Sequence, residues 1–148
     1  MQLVFVRHAH RDVSDRTRDN GLSENGREPV EDLIDDLESG VLPESKLFWS
    51  SPKLRCQETL KPMCDWSEGE FKIEPLLDEH QPHESQKQFH DRIESLLERA
   101  KSTNQTIYLC SHGDLIPIAV ESLVGIQVDL GKGEAIILQN DDGRWEMR

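Results

Sequence analysis

The pair Arg7-His8, a second arginine at Arg55, a carboxylate at Glu79 and a second histidine at His112 are the residues whose types and order could do chemistry together. Guanidinium groups fork onto phosphate oxygens and hold the charge that develops there in a transition state. A histidine can attack phosphorus and carry the group covalently, splitting one hard step into two easier ones. A carboxyl that keeps its proton near neutral pH can donate to a leaving oxygen, then take a proton from the attacking water. Gathered around one crevice, these five residues suit phosphoryl transfer. Taken singly, each has a plainer reading, since strand-end histidines are often satisfied by backbone and helix arginines are mostly solvated.

For the five to meet, several strand ends must lie side by side. Leu3–Val6 is a continuous apolar run, as expected of a strand buried on both faces, and Arg7-His8 follows it. Thr106–Cys110 predicts a second buried strand, with Ser111-His112-Gly113 at its end. Lys46–Ser50 predicts a third, closed by Ser51-Pro52, and Phe71–Ile73 a more weakly patterned fourth. Ala9–Gly21 is polar and aperiodic and reads as a loop. Ser23 is the expected cap of a helix whose Val30, Leu33, Ile34 and Leu37 share one face up to Gly40, with Pro29 kinking it or delaying its regular part. Lys53–Cys64, Glu84–Lys101 and Leu115–Leu123 predict three more helices, and Ala135–Leu138 with Trp145–Met147 a closing hairpin. Such alternation implies an α/β fold with a mostly parallel sheet, whose ligands sit at the C-terminal ends of the strands.

A chain of 148 residues is expected to form one domain, 1–148, with a core that needs no staples. Seventeen Lys and Arg against 29 Asp and Glu leave a net charge of −12, which argues against nucleic acid and anionic membrane as partners. No apolar run approaches the length of a membrane span, and no basic segment precedes one as in a leader. Three cysteines fit no closed disulfide framework. The expectation is a soluble, cytoplasmic monomer.

Five segments resemble, in order, the blocks of the histidine phosphatase superfamily, the phosphoglycerate-mutase-like proteins. Arg7-His8-Ala9 is similar to its Arg-His-Gly, and Leu22-Ser23-Glu24-Asn25-Gly26 to its Leu-Thr-x-x-Gly helix start. The run from Ser50 to Thr59 resembles Ser-Ser-Pro-x-x-Arg-x-x-x-Thr. Leu77-Asp78-Glu79 resembles the segment carrying the acid, and Ser111-His112-Gly113 the distal Ser-His-Gly. The resemblance implies a three-layer α/β/α fold. It makes His8 the nucleophile that becomes phosphohistidine, Arg7, Arg55 and His112 the phosphate pocket, and Glu79 the proton donor. It also implies a reaction without metal or organic cofactor. Asp78 and Glu84 compete with Glu79 for the acid, and SixA-type phosphohistidine phosphatases dispense with the usual one.

Glu79 and His112 are 33 residues apart, leaving room for one helix and one strand but no cap domain. An open pocket suits a phosphate presented on a protein, such as phosphohistidine, and offers few contacts to a small metabolite. The preferred reading is a SixA-type phosphohistidine phosphatase. The alternatives are a small-molecule phosphomonoesterase acting on a sugar or nucleotide phosphate, and a non-catalytic phosphate-binding module. His10 and Arg18 are candidates for touching the substrate, and Arg11, Arg16 and Arg18 for steering it. Asp15 and Arg18 could supply the family's Asp-x-x-Arg. His80, His83 and His90 read as solvated loop histidines rather than metal ligands, Cys110 as a small core residue, and Gly131-Lys132-Gly133 as a turn.

Overall fold

Leu3, Val4, Phe5 and Val6 are all fully buried, and they point alternately into two cores: Leu3 and Phe5 into one, Val4 and Val6 into the other. A strand covered on both faces has no solvent side to keep polar, so its apolar run is unbroken. In the computed structural model, which describes residues 1–148, this strand is β1 (Gln2–Arg7). It lies inside a six-stranded sheet with β2 (Leu47–Ser50), β3 (Glu70–Ile73), β4 (Ile107–Ser111), β5 (Ala135–Asp141) and β6 (Arg144–Met147), in the order β3-β2-β4-β1-β5-β6. The first four strands in that order are parallel, and β5 and β6 complete the edge as an antiparallel hairpin. Asp142 and Gly143, both at positive φ, make its two-residue turn.

Helices α1 (Arg27–Ser39) and α2 (Leu54–Trp66) cover the Val4 face. Helices α3 (Gln86–Ser102) and α4 (Leu115–Val124) cover the other. This is the expected three-layer α/β/α arrangement with a mostly parallel sheet and no cap domain. The one-sided pattern of α3 puts Phe89, Ile93, Leu96 and Leu97 in the core. Each such side chain contributes about 1.5–3 kcal/mol on burial, so packing, more than propensity, holds the helix in place. No helix is long and apolar enough to cross a membrane.

Two helix starts differ from expectation. Ser23 precedes a short 3-10 turn at Glu24–Gly26 and does not cap α1; its hydroxyl donates to His10 O at 3.2 Å, and Gly26 is the N-cap. Pro29 then falls in the first turn, where its missing N–H costs no helical bond. A Cβ on Gly26 would lie 2.2 Å from His10 O, so this glycine lets the helix start pass against the chain just beyond β1. Glu84 lies outside α3, because Ser85 caps that helix in a reciprocal pair with Gln88.

Register sets the site. Arg7 pairs with Ser111 across β1 and β4, and Ser50 with Cys110 across β2 and β4. The backbone bonds continue past the strands, from His8 N to Ser111 O at 3.1 Å and from Ser51 N to Cys110 O at 3.0 Å. The three segments that carry His8, Ser51 and His112 therefore leave the sheet at one level.

Candidate active site

His8 and His112 leave neighbouring strands together, and their rings face each other with centroids 5.3 Å apart. His8 Nδ1 lies 2.8 Å from Ala9 O. A carbonyl can only accept, so Nδ1 carries the hydrogen and Nε2 of the neutral ring has its lone pair free. His112 Nδ1 lies 3.4 Å from Arg55 Nη2, which can only donate, so its Nε2–H donates to Ser51 Oγ at 2.8 Å.

Burial lowers His8 to about 4, with Arg55, Arg7 and Lys132 adding to the shift and the bond to Ala9 opposing it. Burial first, then Arg55, His8, Lys53 and Arg7, lowers His112 to about 2. Both rings are thus neutral around pH 7. Because the folded values lie below the ordinary 6.5, the unfolded chain takes protons first as pH falls. The pair therefore leaves stability unchanged well above 6.5 and withdraws it below, down to about 4 for His8 and further for His112. Between about pH 7.5 and about pH 5 the expected loss is about 2 kcal/mol per ring. Urea unfolding at the two pH values measures it, and His112→Gln should remove roughly half. An unchanged acid loss in that variant contradicts the neutral buried ring.

Arg55 opens α2 and is buried, with Nη2 2.8 Å from Glu79 Oε2. Arg7 is half-buried and donates from Nη1 to Leu130 O at 2.8 Å. The Nε atoms of both are buried without a partner, which for a cationic donor is costly. An anion with several oxygens is the ligand that would satisfy them. A Cβ on Gly113 would lie 2.7 Å from Arg7 Cζ, so the glycine after His112 makes room for this guanidinium.

The segment from Ser50 to Thr59 acts through almost every polar residue. Ser50 Oγ donates to Ser51 O, and Ser51 Oγ holds His112. Thr59 Oγ1 donates to Arg55 O one turn earlier and accepts Ala9 N at 3.0 Å, so one hydroxyl joins α2 to the chain just after His8.

Glu79 reaches the pocket with its side chain 39% exposed, its Oε2 3.9 Å from His112 Nδ1. Asp78 Oδ1 accepts Glu79 N at 2.8 Å and lies 3.9 Å from His112 Nε2, and its Oδ2 lies 3.9 Å from Lys53 Nζ; unlike Glu79, it forms no ion pair with Arg55. Burial raises the Asp78 carboxyl above its ordinary value. Glu84 is in no position to be the acid. It forms a two-pronged pair with Arg92 at 2.7 Å on each prong, and that bonding holds its carboxyl down at about 2.

His10 and Arg18 lie on the exposed loop and bond to none of these groups through their side chains; His10 O instead receives Ser23. Asp15 closes a turn on Thr17 rather than pairing with Arg18. His80 is not a solvated histidine, since it stacks on Phe89 at 4.8 Å with Nε2 2.6 Å from Glu84 O. Cys56 Sγ sits 3.5 Å from His112 Nε2, beneath the pocket.

Three contributors carry no local sequence signal. Asp19 accepts Leu54 N at the start of α2, and Glu58 accepts Leu22 N at 2.9 Å, so the loop from Ala9 to Gly21 is tied to the helix that carries Arg55. Gly133 N donates to Arg7 O at 3.0 Å and His8 O at 3.2 Å, which brings the Gly131–Gly133 turn against the end of β1. Cavities of about 540, 420 and 310 Å³ all lie away from the two histidines.

Residues 3–81 match the histidine phosphatase superfamily, branch 1. The chain belongs to that family. The members of the histidine phosphatase superfamily are phosphatases, and this chain is accordingly a hydrolase of that class. The match includes Arg7, His8, Arg55 and Glu79; His112 lies beyond it and is brought in by β4. Among solved structures, the fold is similar to that of the protein histidine phosphatase SixA bound to tungstate, at 17% identity and a TM-score of 0.77, over 100% of this chain and 94% of that one. It is similar also to a phosphoserine phosphatase from Entamoeba histolytica, crystallised as a mutant with phosphoserine, at 14% identity and 0.79, over 99% and 94%. A mycobacterial glucosyl-3-phosphoglycerate phosphatase, in complex with vanadate, matches at 18% identity and 0.79, over 99% and 96%. No curated protein matches this histidine phosphatase in sequence. Identities this low speak for the fold, and the three differ in the substrates their names carry.

Proposed function

We propose that the protein is a metal-independent phosphatase that works through phosphohistidine on His8, and that its substrate is a phosphohistidine borne on another protein. The observation that supports the chemistry is the neutral His8, whose Nδ1–H is held by Ala9 O while Nε2 stays free beside two guanidinium groups with unpartnered Nε atoms. In the first step the Nε2 lone pair attacks phosphorus in line as the bond to the leaving group breaks. Arg7 and Arg55 hold the equatorial oxygens. His112 lines the same pocket as a neutral ring, its Nδ1 facing the Arg55 guanidinium and its Nε2–H held by Ser51 Oγ. In the second step water attacks phosphorus, the bond to Nε2 breaks, and phosphate leaves.

Glu79 is the proton donor of the first step and the acceptor of the second. A dianion seated on Arg55 competes with Glu79 for the same guanidinium edge. A phosphohistidine substrate asks less of this acid, because its imidazole leaves carrying its own proton. A single α/β/α layer arrangement without cap elements supports a phosphate presented on a protein surface, and three buried free thiols suit the cytoplasm.

One observation favours a second reading, a small-molecule phosphomonoesterase. Glu79 stands 2.8 Å from Arg55, where it could protonate an alkoxide. Phosphate release in EDTA from a phosphohistidine protein and from para-nitrophenyl phosphate, with His8→Ala as blank, separates the two. Faster turnover of the protein substrate is expected; turnover of the ester alone overturns the substrate assignment, and silence on both makes this a phosphate-binding module. Glu79→Gln should slow an alkyl phosphate by about 10²–10⁴-fold and phosphohistidine far less. Equal losses would remove the distinction between the two leaving groups.

A further inference from the structure

The stretch that carries Glu79 is irregular, a single 3-10 turn at Pro75–Leu77 followed by extended backbone at Asp78. No helix or strand ladder holds it, yet its carbonyls from Leu76 to Glu79 are all taken by side chains. Ser111 Oγ, at the end of β4, donates to Leu77 O at 2.6 Å. Arg92, on α3, takes the other three, sharing Glu79 O with Gln81 Nε2, which donates to it at 2.7 Å. Its Nη1 donates to Leu76 O and Asp78 O at 2.8 Å each, and its Nη2 to Glu79 O at 3.1 Å. The Nε–H and the second Nη2 hydrogen go to Glu84, at 2.7 Å each. All five donors of the guanidinium are thus used, three of them on the stretch from Leu76 to Glu79. Its plane lies over Phe89 at 4.8 Å, and its side chain is 14% exposed. A fully bonded, stacked fork has little freedom left to move.

We propose that Arg92 is a positioning residue for the reaction: by bridging α3 to Leu76, Asp78 and Glu79 it keeps the Glu79 carboxyl where the leaving oxygen will be. This rests on Glu79 being the proton donor. In that step the proton passes from the Glu79 carboxyl to the leaving oxygen, which keeps the electron pair of the breaking P–O bond, while the bond from His8 Nε2 to phosphorus forms. Arg92 exchanges no proton and touches no substrate. Lysine in its place has three donors on one nitrogen and cannot span three carbonyls and a carboxylate.

The test is the ratio of kcat/KM for para-nitrophenyl phosphate to that for β-glycerophosphate. Nitrophenolate leaves without a proton and the alkoxide does not, so the ratio reads how well the acid is placed. Both substrates sample the same folded molecules, so partial unfolding cancels. Arg92→Gln should raise the ratio by about tenfold or more, Arg92→Lys by less, and Glu79→Gln by the most, with no further rise in the double variant. If Glu79→Gln raises the ratio and Arg92→Gln leaves it unchanged, Arg92 is only structural and the proposal falls. If Glu79→Gln leaves it unchanged, the proton-donor reading fails, and the positioning role with it. Should Arg92→Gln fail to fold, the ratio in Arg92→Lys decides.

Discussion

His8→Ala is expected to lose turnover by about 10⁴-fold or more, the scale at which nucleophile removal leaves only binding and electrostatic contributions. No neighbour can take over. His112 Nε2 is committed to Ser51, and its Nδ1 faces the Arg55 guanidinium. The fold should survive. The side chain's one hydrogen bond runs to Ala9 O, and losing such a bond costs about 1 kcal/mol. Part of that cost is offset at low pH, because a ring that resists protonation in the fold is gone. Two measurements check this: single-turnover kinetics, and an alkaline quench that traps acid-labile phosphohistidine on the wild type but not on the variant. Label trapped on the variant, or turnover near wild type, would move the nucleophile elsewhere.

Arg55→Ala should lower kcat/KM by a hundredfold or more, since removing one donor aimed at developing charge costs about 2.7–4 kcal/mol. Four groups feel the change. The phosphate loses a fork, Glu79 loses the partner 2.8 Å away, and both histidines lose a positive neighbour that helps to hold them neutral. The acid limb of the pH–rate profile should therefore shift upward from that of the wild type, as the rings protonate more readily. Arg55→Lys keeps the charge without the fork and should recover the limb more fully than the rate. A rate loss with no movement of the limb would mean that Arg55 does not act on the histidines as their geometry indicates.

Much of what positions this candidate site is legible in the sequence alone, and the reasons are local. A strand buried on both faces shows itself as an unbroken apolar run, so Leu3–Val6 and Ile107–Cys110 announce themselves, and with them the ends where Arg7-His8 and Ser111-His112 must sit. The one-sided spacings of α1 and α3 likewise determine which faces are buried. Helix starts were less legible. Ser23 looks like a cap, but its hydroxyl is drawn to His10 O by a loop folding back from β1, a contact across 13 residues.

The choice among Asp78, Glu79 and Glu84 lay beyond the sequence. Three carboxylates within seven residues of an irregular stretch have no periodicity to sort them. Tertiary bonds give each a different setting, and these support the proposed donor: Arg92 claims Glu84, Asp78 bonds the backbone of Glu79 and lies 3.9 Å from His112, and Glu79 pairs with Arg55. The same holds for Glu58, Asp19 and Gly133, which fasten the site from elements tens of residues away. Burial follows short-range pattern because one helix or strand face is set by consecutive residues. Hydrogen-bond partners across the fold are set only when register and packing bring the donors and acceptors to their distances.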